Sequence, residues 1–499
     1  MKEFQNPTIL KILDRYRTLW ALGHFSAVAG WDQRTYMPKD GAGARAEAFA
    51  KISSLSQKIF LEKEFVSLIK KAQEERLNDY EKGIVRLLKR DLKIYQKLPP
   101  EFIEEFARVT SKAESVWEDA KRKNNFALFE PYLQKIIELS RKKAEYLGYE
   151  RHPYDALLDE YEEGLTTRQS QEYFSSLKPR LSALFGYIKD SENYSLKNPL
   201  KNTDYNLERM KMLSSKIIDV LHGNKNNLRL DIAEHPFTMH LSTGDTRITT
   251  RYIEKDFTGT ISSNVHEFGH ALYDLQCNPN LEYTPVGHPI SVVMHESQSR
   301  FWENIIGRSK EFIKIFEKDI KSLSPGFSRY SLDDIYRGFN TVRPSLVRTE
   351  ADEVSYHFHI MLRFELEKEM IEGKITAKEL ASLWADKYEK YLGIRPKTFS
   401  EGILQDVHWS GGSIGYFPTY SMGTAASAIW KERIEKDFKQ NIQGMVNEKG
   451  FPKIKEWLKN NIHQYGSAYT FNDLLKKKGI EFSSRPLMKY LEEKYKKLY

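Results

Sequence analysis

Cysteine is almost missing from this sequence: Cys277 is the one instance in 499 residues. No intrachain disulfide is therefore available, and a reducing compartment is the expected setting. Apolar runs of about 18 residues are also missing, which argues against a helical membrane span. The opening stretch, Met1 to Pro7 followed by Lys11, Asp14, Arg15 and Arg17, lacks the apolar segment of a secretory leader. A cytoplasmic protein with no membrane partner is expected. Charge of a single sign is lacking too. The net +8 arises from 77 basic residues interleaved with 69 acidic ones, in runs such as Glu74-Glu75-Arg76. Such mixing marks solvated helix faces, and no nucleic-acid motif accompanies it, so no nucleic-acid partner is expected. Fixed-period repeats and Ser- or Pro-rich linkers are likewise absent.

The chain is long enough to bury a large core without staples, and its balance of 40% hydrophobic and 29% charged residues is that of a globular protein. Abundant Lys and Glu with little Cys fits a hot-growing source. The first 220 residues read as amphipathic helices, with apolar positions such as Ile84, Leu87, Leu88 and Leu92 at helical spacing. Breaks fall at Met37 to Gly41, Leu98-Pro99-Pro100 and Glu130-Pro131. Near residue 228 the period changes. Leu228, Leu230 and Ile232 alternate with polar residues, as do Ile248, Thr250 and Tyr252, with a turn signal at Ser242 to Asp245. This predicts a small antiparallel β-sheet. Helical periodicity then returns to the C-terminus, apart from the glycine-rich interruption Trp409 to Ser413. The fold class is mainly α: one domain over 1–499, with an N-terminal helical region 1–220, a sheet and metal-binding core 221–430, and C-terminal helices 431–499.

The chemistry concentrates in His266-Glu267-Phe268-Gly269-His270. Two histidines four residues apart share one helix face and can grip one ion, while Glu267 beside the first reaches a bound water without ligating the metal. Gly269 costs about 1 kcal/mol of helix stability relative to Ala, and leaves a gap for another segment to approach. Metzincins are excluded, because Tyr273 and Gln276 stand where Gly and His would be required. The alternative is a His₂Glu site with a carboxylate from a following helix. Glu296, on the helical stretch 291–306, is the leading candidate. Glu303 lies two turns further on the same face, and Glu282 sits in a loop. Such zinc leaves a position for water and lowers its pKa; Glu267 takes the proton and passes it to a leaving amine, which is chemistry suited to amide hydrolysis.

Six further segments carry a resemblance. They are His235-Pro236-Phe237, Asp245 to Thr249, His295-Glu296-Ser297-Gln298, Val347 to Asp352, Gly402 to Trp409, and Gly415 to Tyr420. With the zinc pentad they resemble, over nearly the whole chain, the thermostable metallocarboxypeptidases of the Taq type. Val347, where the family more often has Ile, is a small departure. The resemblance favours Glu296 as third ligand. It implies a helical fold with a deep groove and a short sheet along one wall. It also implies a homodimer that removes single C-terminal residues from peptides with broad specificity, resisting C-terminal proline. One Zn²⁺ per chain is implied, with Co²⁺ able to substitute.

Physical roles can be attached to these segments. A free terminal carboxylate calls for a guanidinium, and Arg348 is the first choice, followed by Gln405 and Arg247. The competing reading of Arg348 is an ion pair with Asp352, four residues on along a helix. His235, held extended before Pro236, is a candidate donor to oxyanion or substrate. Tyr416 or Tyr420 supplies a phenol for the oxyanion. His408 and Trp409 line the pocket or pack the loop, and a strand at 247–252 could add an extended peptide at its edge. An endopeptidase on a similar scaffold, or a binding protein with a vestigial site, are the rivals.

Overall fold

The computed structural model describes residues 3–224 and 226–499; Met1 and Lys2 of the opening stretch lie outside them. Helix makes up 68% of it, so the fold is mainly α. Close packing divides the chain into two compact units. One comprises Met1–Tyr95, Pro199–Phe339 and Trp430–Glu481, the other Gln96–Asn198, Asn340–Ile429 and Phe482–Tyr499. No helix among the described residues is long and apolar enough to cross a membrane.

In the first unit, helix α1 (Pro7–Thr35) begins where its sequence says it should. The Asn6 side chain accepts from the Thr8 and Ile9 amides, and Pro7 occupies the first turn, where no amide hydrogen is needed. Ile9, Ile12 and Leu13 then enter a core with Phe65, Ile69, Ile84 and Leu88. The sheet follows later, as strands β1 (Leu228–Ile232), β2 (Thr238–Ser242) and β3 (Asp245–Thr250). Thr243 and Gly244 form the turn of the β2–β3 hairpin, at the predicted turn signal.

The order β1-β3-β2 corrects the antiparallel expectation, because β1 runs parallel to β3 and only β2 is antiparallel to it. Alternation of side chains reports which face is buried but not strand direction, so the sequence could not distinguish the two pairings. β3 is bonded on both sides. An added peptide strand has no free edge there, which overturns the expectation for 247–252.

Helix α2 (Phe257–Gln276) packs beneath this sheet. Asp256 caps it by accepting from the Gly259 amide. Phe257, Ile261, Val265, Phe268 and Leu272 recur at helical spacing and are all buried. Helix α3 (Val292–Arg300) follows, capped by Ser291, and passes directly into a π-helical turn at Phe301–Gly307. Trp302 in that turn packs edge-on against Phe268, with ring centroids 5.1 Å apart.

The second unit is organised around helix α4 (Tyr356–Glu372), buried along most of its length and closed by Gly373 in the left-handed conformation. Asp352 holds its start, accepting from the Val354 and Ser355 amides and the Ser355 hydroxyl.

Candidate active site

The metal-type residues come together in the first unit. His266 and His270 project from the side of α2 opposite its apolar stripe. Glu296 on α3 completes a group whose three ligand atoms all lie within 4.8 Å of one another. Glu296 Oε2 is 3.7 Å from His266 Nε2 and 3.6 Å from His270 Nε2. Donors around a tetrahedral ion with bonds near 2.1 Å stand about 3.4 Å apart, so two imidazoles and a carboxylate at these separations fit such an ion. Gly269 makes the approach of α3 possible: a Cβ there would come within 2.6 Å of Gln298 O and Ser299 Cα.

Glu303 is not among these three. Its Oε2 lies 2.8 Å from His266 Nδ1, on the far side of the ring from the triad. Glu282, the third candidate, accepts from the Thr243 hydroxyl instead. Burial alone would raise the Glu303 carboxyl, but Arg300, His266 and Arg308 outweigh it and hold the group well below the usual carboxylate range.

Glu267 is buried beside the triad, and the Thr238 hydroxyl donates to its Oε2 at 2.6 Å. Burial raises the Glu267 carboxyl above its ordinary value, opposed by His266 and by the Thr238 hydrogen bond. Thr238 pairs with Ile248 across the sheet, and Met239 with Arg247. Thr238 and Ile248 therefore face α2, whereas Arg247 stands on the opposite face of the sheet, towards α1. There its guanidinium forks onto Asp245 at 3.0 and 2.8 Å and lies 5.7 Å from the Trp31 ring. His235 is exposed in the bend between β1 and β2.

The remaining predicted residues gather in the second unit. Arg348 begins a short 3₁₀ turn and is buried. Its partner is Asp406, whose Oδ1 accepts from Nε and Nη2 at 3.0 and 2.9 Å; the i,i+4 pairing with Asp352 does not form. The segment is not an α-helix, and Asp352 is occupied capping α4. Arg363, fully buried on α4, contacts the other oxygen of Asp406, so two guanidiniums bear on one carboxylate. Burial would raise Asp406, yet Arg348 and Arg363 hold it far below the carboxylate range. Gln405 is committed within the cluster. Its Oε1 accepts from the Arg348 amide and Arg363 Nη2, and its Nε2 donates to Leu346 O and Tyr388 Oη.

Tyr420, in helix α5 (Phe417–Phe438), lies under Arg348 with the guanidinium carbon 5.0 Å from its ring centre. Its hydroxyl is 3.2 Å from His408 Nε2, and burial pushes His408 down to about 4, so that imidazole is neutral near pH 7. Tyr416 is half-buried between Tyr161 and Tyr420, with ring centroids 5.0 and 5.1 Å away.

Sequence reasoning did not single out Glu367 or Arg363. Glu367 accepts from Tyr154 Oη, Trp409 Nε1 and the Gly415 amide, which ties α4 to the glycine-rich loop carrying Tyr416. An acidic residue four positions after an arginine, both off the polar face formed by Glu365, Lys368, Glu369 and Glu372, was the available signal.

A family model described as carboxypeptidase Taq (M32) metallopeptidase matches residues 11–495. The thermostable carboxypeptidase 1 of Pyrococcus furiosus is 47% identical over 497 residues, covering 99% of each chain. Carboxypeptidase 1 of Bacillus subtilis is 38% identical, covering 100% of this chain and 98% of its own. A solved structure of the Pyrococcus furiosus carboxypeptidase superposes with a TM-score of 0.96 at 47% identity, over 99% of this chain and 100% of that one. With nearly every residue matched, the chain belongs to the carboxypeptidase Taq (M32) metallopeptidase family and is a metallocarboxypeptidase acting on peptides.

Proposed function

We propose that this chain is a zinc enzyme that releases C-terminal residues one at a time with broad specificity, and that His266, His270 and Glu296 hold the ion. The observation that carries this reading is the fit of two imidazoles and one carboxylate to a single ion, with the buried Glu267 beside them. Two imidazoles and a carboxylate suit zinc, and cobalt is accepted by the same ligands. Bound zinc supplies Lewis acidity, which lowers the pKa of a water and polarises a carbonyl.

The protein's own groups do the rest. Glu267, held by Thr238 and raised by burial, takes a proton from the attacking water and delivers it to the departing amine. Tyr416 or Tyr420 donates a phenol hydrogen to the developing oxyanion, and His235 donates to the oxyanion or the substrate. Arg348 binds the terminal carboxylate. Its support is the imbalance at Asp406, where two guanidiniums share one negative charge. Gln405 serves Arg348 by holding its amide, His408 lines the pocket beside Tyr420, and Arg247 binds substrate further from the reacting bond.

The chain is proposed to work as one domain over 1–499, as a cytoplasmic, thermostable homodimer. The thermostability is supported by the 47% identical relative, itself named a thermostable carboxypeptidase. The test is to incubate the zinc-loaded enzyme with one long peptide and follow it by mass spectrometry. Successive loss of single C-terminal residues is expected; internal cuts, or no cleavage with zinc, would overturn the reading.

A further inference from the structure

A histidine that ligates through Nε2 keeps its proton on Nδ1, and it does so reliably only where Nδ1–H has an acceptor. His266 has one in Glu303 Oε2, at 2.8 Å. His270 reaches a carboxylate one side chain further on. Its Nδ1 meets His295 Nδ1, and His295 Nε2 lies 3.3 Å from Asp274 Oδ1. With its Nε2–H directed at Asp274, His295 offers the Nδ1 lone pair, so His270 Nδ1–H is the donor. Both chains of bonds leave an Nε2 lone pair free to face Glu296.

The two arms differ. The His270 arm runs through a second imidazole, whereas Glu303 places a carboxylate directly on His266. It is also braced: Arg300 Nη1 donates to its Oε2 at 3.1 Å and Arg308 Nη2 to its Oε1 at 3.0 Å. In an α-helix a residue five positions on is rotated about 140° away and could not contact Glu303 from the same face. Here the Arg308 amide bonds the Glu303 carbonyl, five residues back, at 3.0 Å. The wider π turn therefore stacks Arg308 over Glu303, and this local departure from α geometry sets the carboxylate against His266.

We propose that Glu303, aligned by the π-helical turn, is a positioning residue of the metal centre that orients His266 and strengthens its hold on a divalent ion. The inference rests on the reading of His266, His270 and Glu296 as the ligands. It accounts for a buried acid that the triad itself does not use.

The test is titration of the full-length apo-protein with Co²⁺ in competition with a chromophoric chelator, recording the visible Co²⁺ absorption. Glu303→Gln keeps the shape and removes the charge; Glu303→Asp keeps the charge and shortens the reach. Each is expected to bind Co²⁺ about 10–100-fold more weakly, with an altered absorption band. His266→Ala, as reference, should abolish stoichiometric binding. Wild-type affinity and spectrum in both Glu303 variants, with His266→Ala unable to bind, would overturn the role of Glu303 and leave the ligands standing. Full binding by His266→Ala would instead overturn the ligand assignment. Should Glu303→Gln not fold, Glu303→Asp decides alone.

Discussion

The Thr238 hydroxyl donates a 2.6 Å hydrogen bond to Glu267 Oε2, so the edge strand β2 reaches the carboxylate that stands beside the two histidines. The bond does two things. It fixes one rotamer of a buried side chain, and it favours the ionised form against the cost of burial. Thr238→Val is expected to lower kcat on the order of 10-fold, the equivalent of one hydrogen bond to a charged group. Without the donor the Glu267 carboxyl rises further, so the acid limb of the kcat/KM profile moves to higher pH. Thr238→Ser should restore both. A Val variant with the wild-type kcat and acid limb would remove Thr238 from the mechanism.

Glu267→Gln separates binding from chemistry. The amide keeps the shape but cannot accept the proton, so hydrolysis should fall by about 10²–10⁴-fold. Metal content, measured on the same preparation by elemental analysis, should be unchanged because Glu267 is not in the ligand triad. Undiminished turnover would sink the general-base role, and loss of metal would show that Glu267 supports the ligands.

The close contact at Gly269 makes a prediction of opposite origin, since it concerns packing alone. Ala is the better helix former by about 1 kcal/mol. Its methyl group, however, would meet backbone atoms of Gln298 and Ser299 at 2.6 Å, with no flexible side chain to give way. Overpacking of this kind costs about 1–3 kcal/mol, so Gly269→Ala should lower the thermal midpoint. Because α3 carries Glu296, its displacement should also weaken metal binding. Equal midpoints and metal affinity would mean that α3 shifts freely.

How much of this was legible beforehand depended on how far apart the partners lie in the chain. His266, Glu267 and His270 sit within one helical turn, so spacing alone placed them on α2, and the cap at Asp256 and the apolar stripe agree with it. Glu303 was visible as an acid on the same face as Glu296. Its actual partner, His266 Nδ1, was not, because the π turn that aims it leaves no periodic mark. The Arg348–Asp406 pair joins positions 58 apart in sequence. A local rule could offer only Asp352, which is the wrong partner because 348–350 is a 3₁₀ turn and not an α-helix. Strand direction in the sheet was hidden for a similar reason: β1 and β3 become neighbours only after β2 has been formed between them in sequence.

That cluster yields the last prediction, which uses two substitutions with unlike consequences. Arg348→Ala leaves Arg363 and Asp406 as a balanced pair, so the fold should survive. If Arg348 binds the substrate carboxylate, KM should rise and kcat/KM fall for free-acid peptides, with C-terminally amidated peptides hardly affected; equal loss on both would count against the clamp. Asp406→Asn instead leaves two buried guanidiniums with no counter-charge, at a cost of about 3–5 kcal/mol near neutral pH. The pH dependence has a definite sign. The folded-state pKa of Asp406 lies far below its ordinary value of 3.8, so the unfolded chain binds its proton first as pH falls. Its contribution is complete above about pH 4 and is lost progressively below it. The stability gap between wild type and Asp406→Asn, read from urea unfolding between pH 7 and pH 3, should therefore be constant down to about pH 4 and narrow beyond it. A gap that stays constant through the acid range would mean that the carboxylate charge contributes nothing to holding Arg348 and Arg363 together.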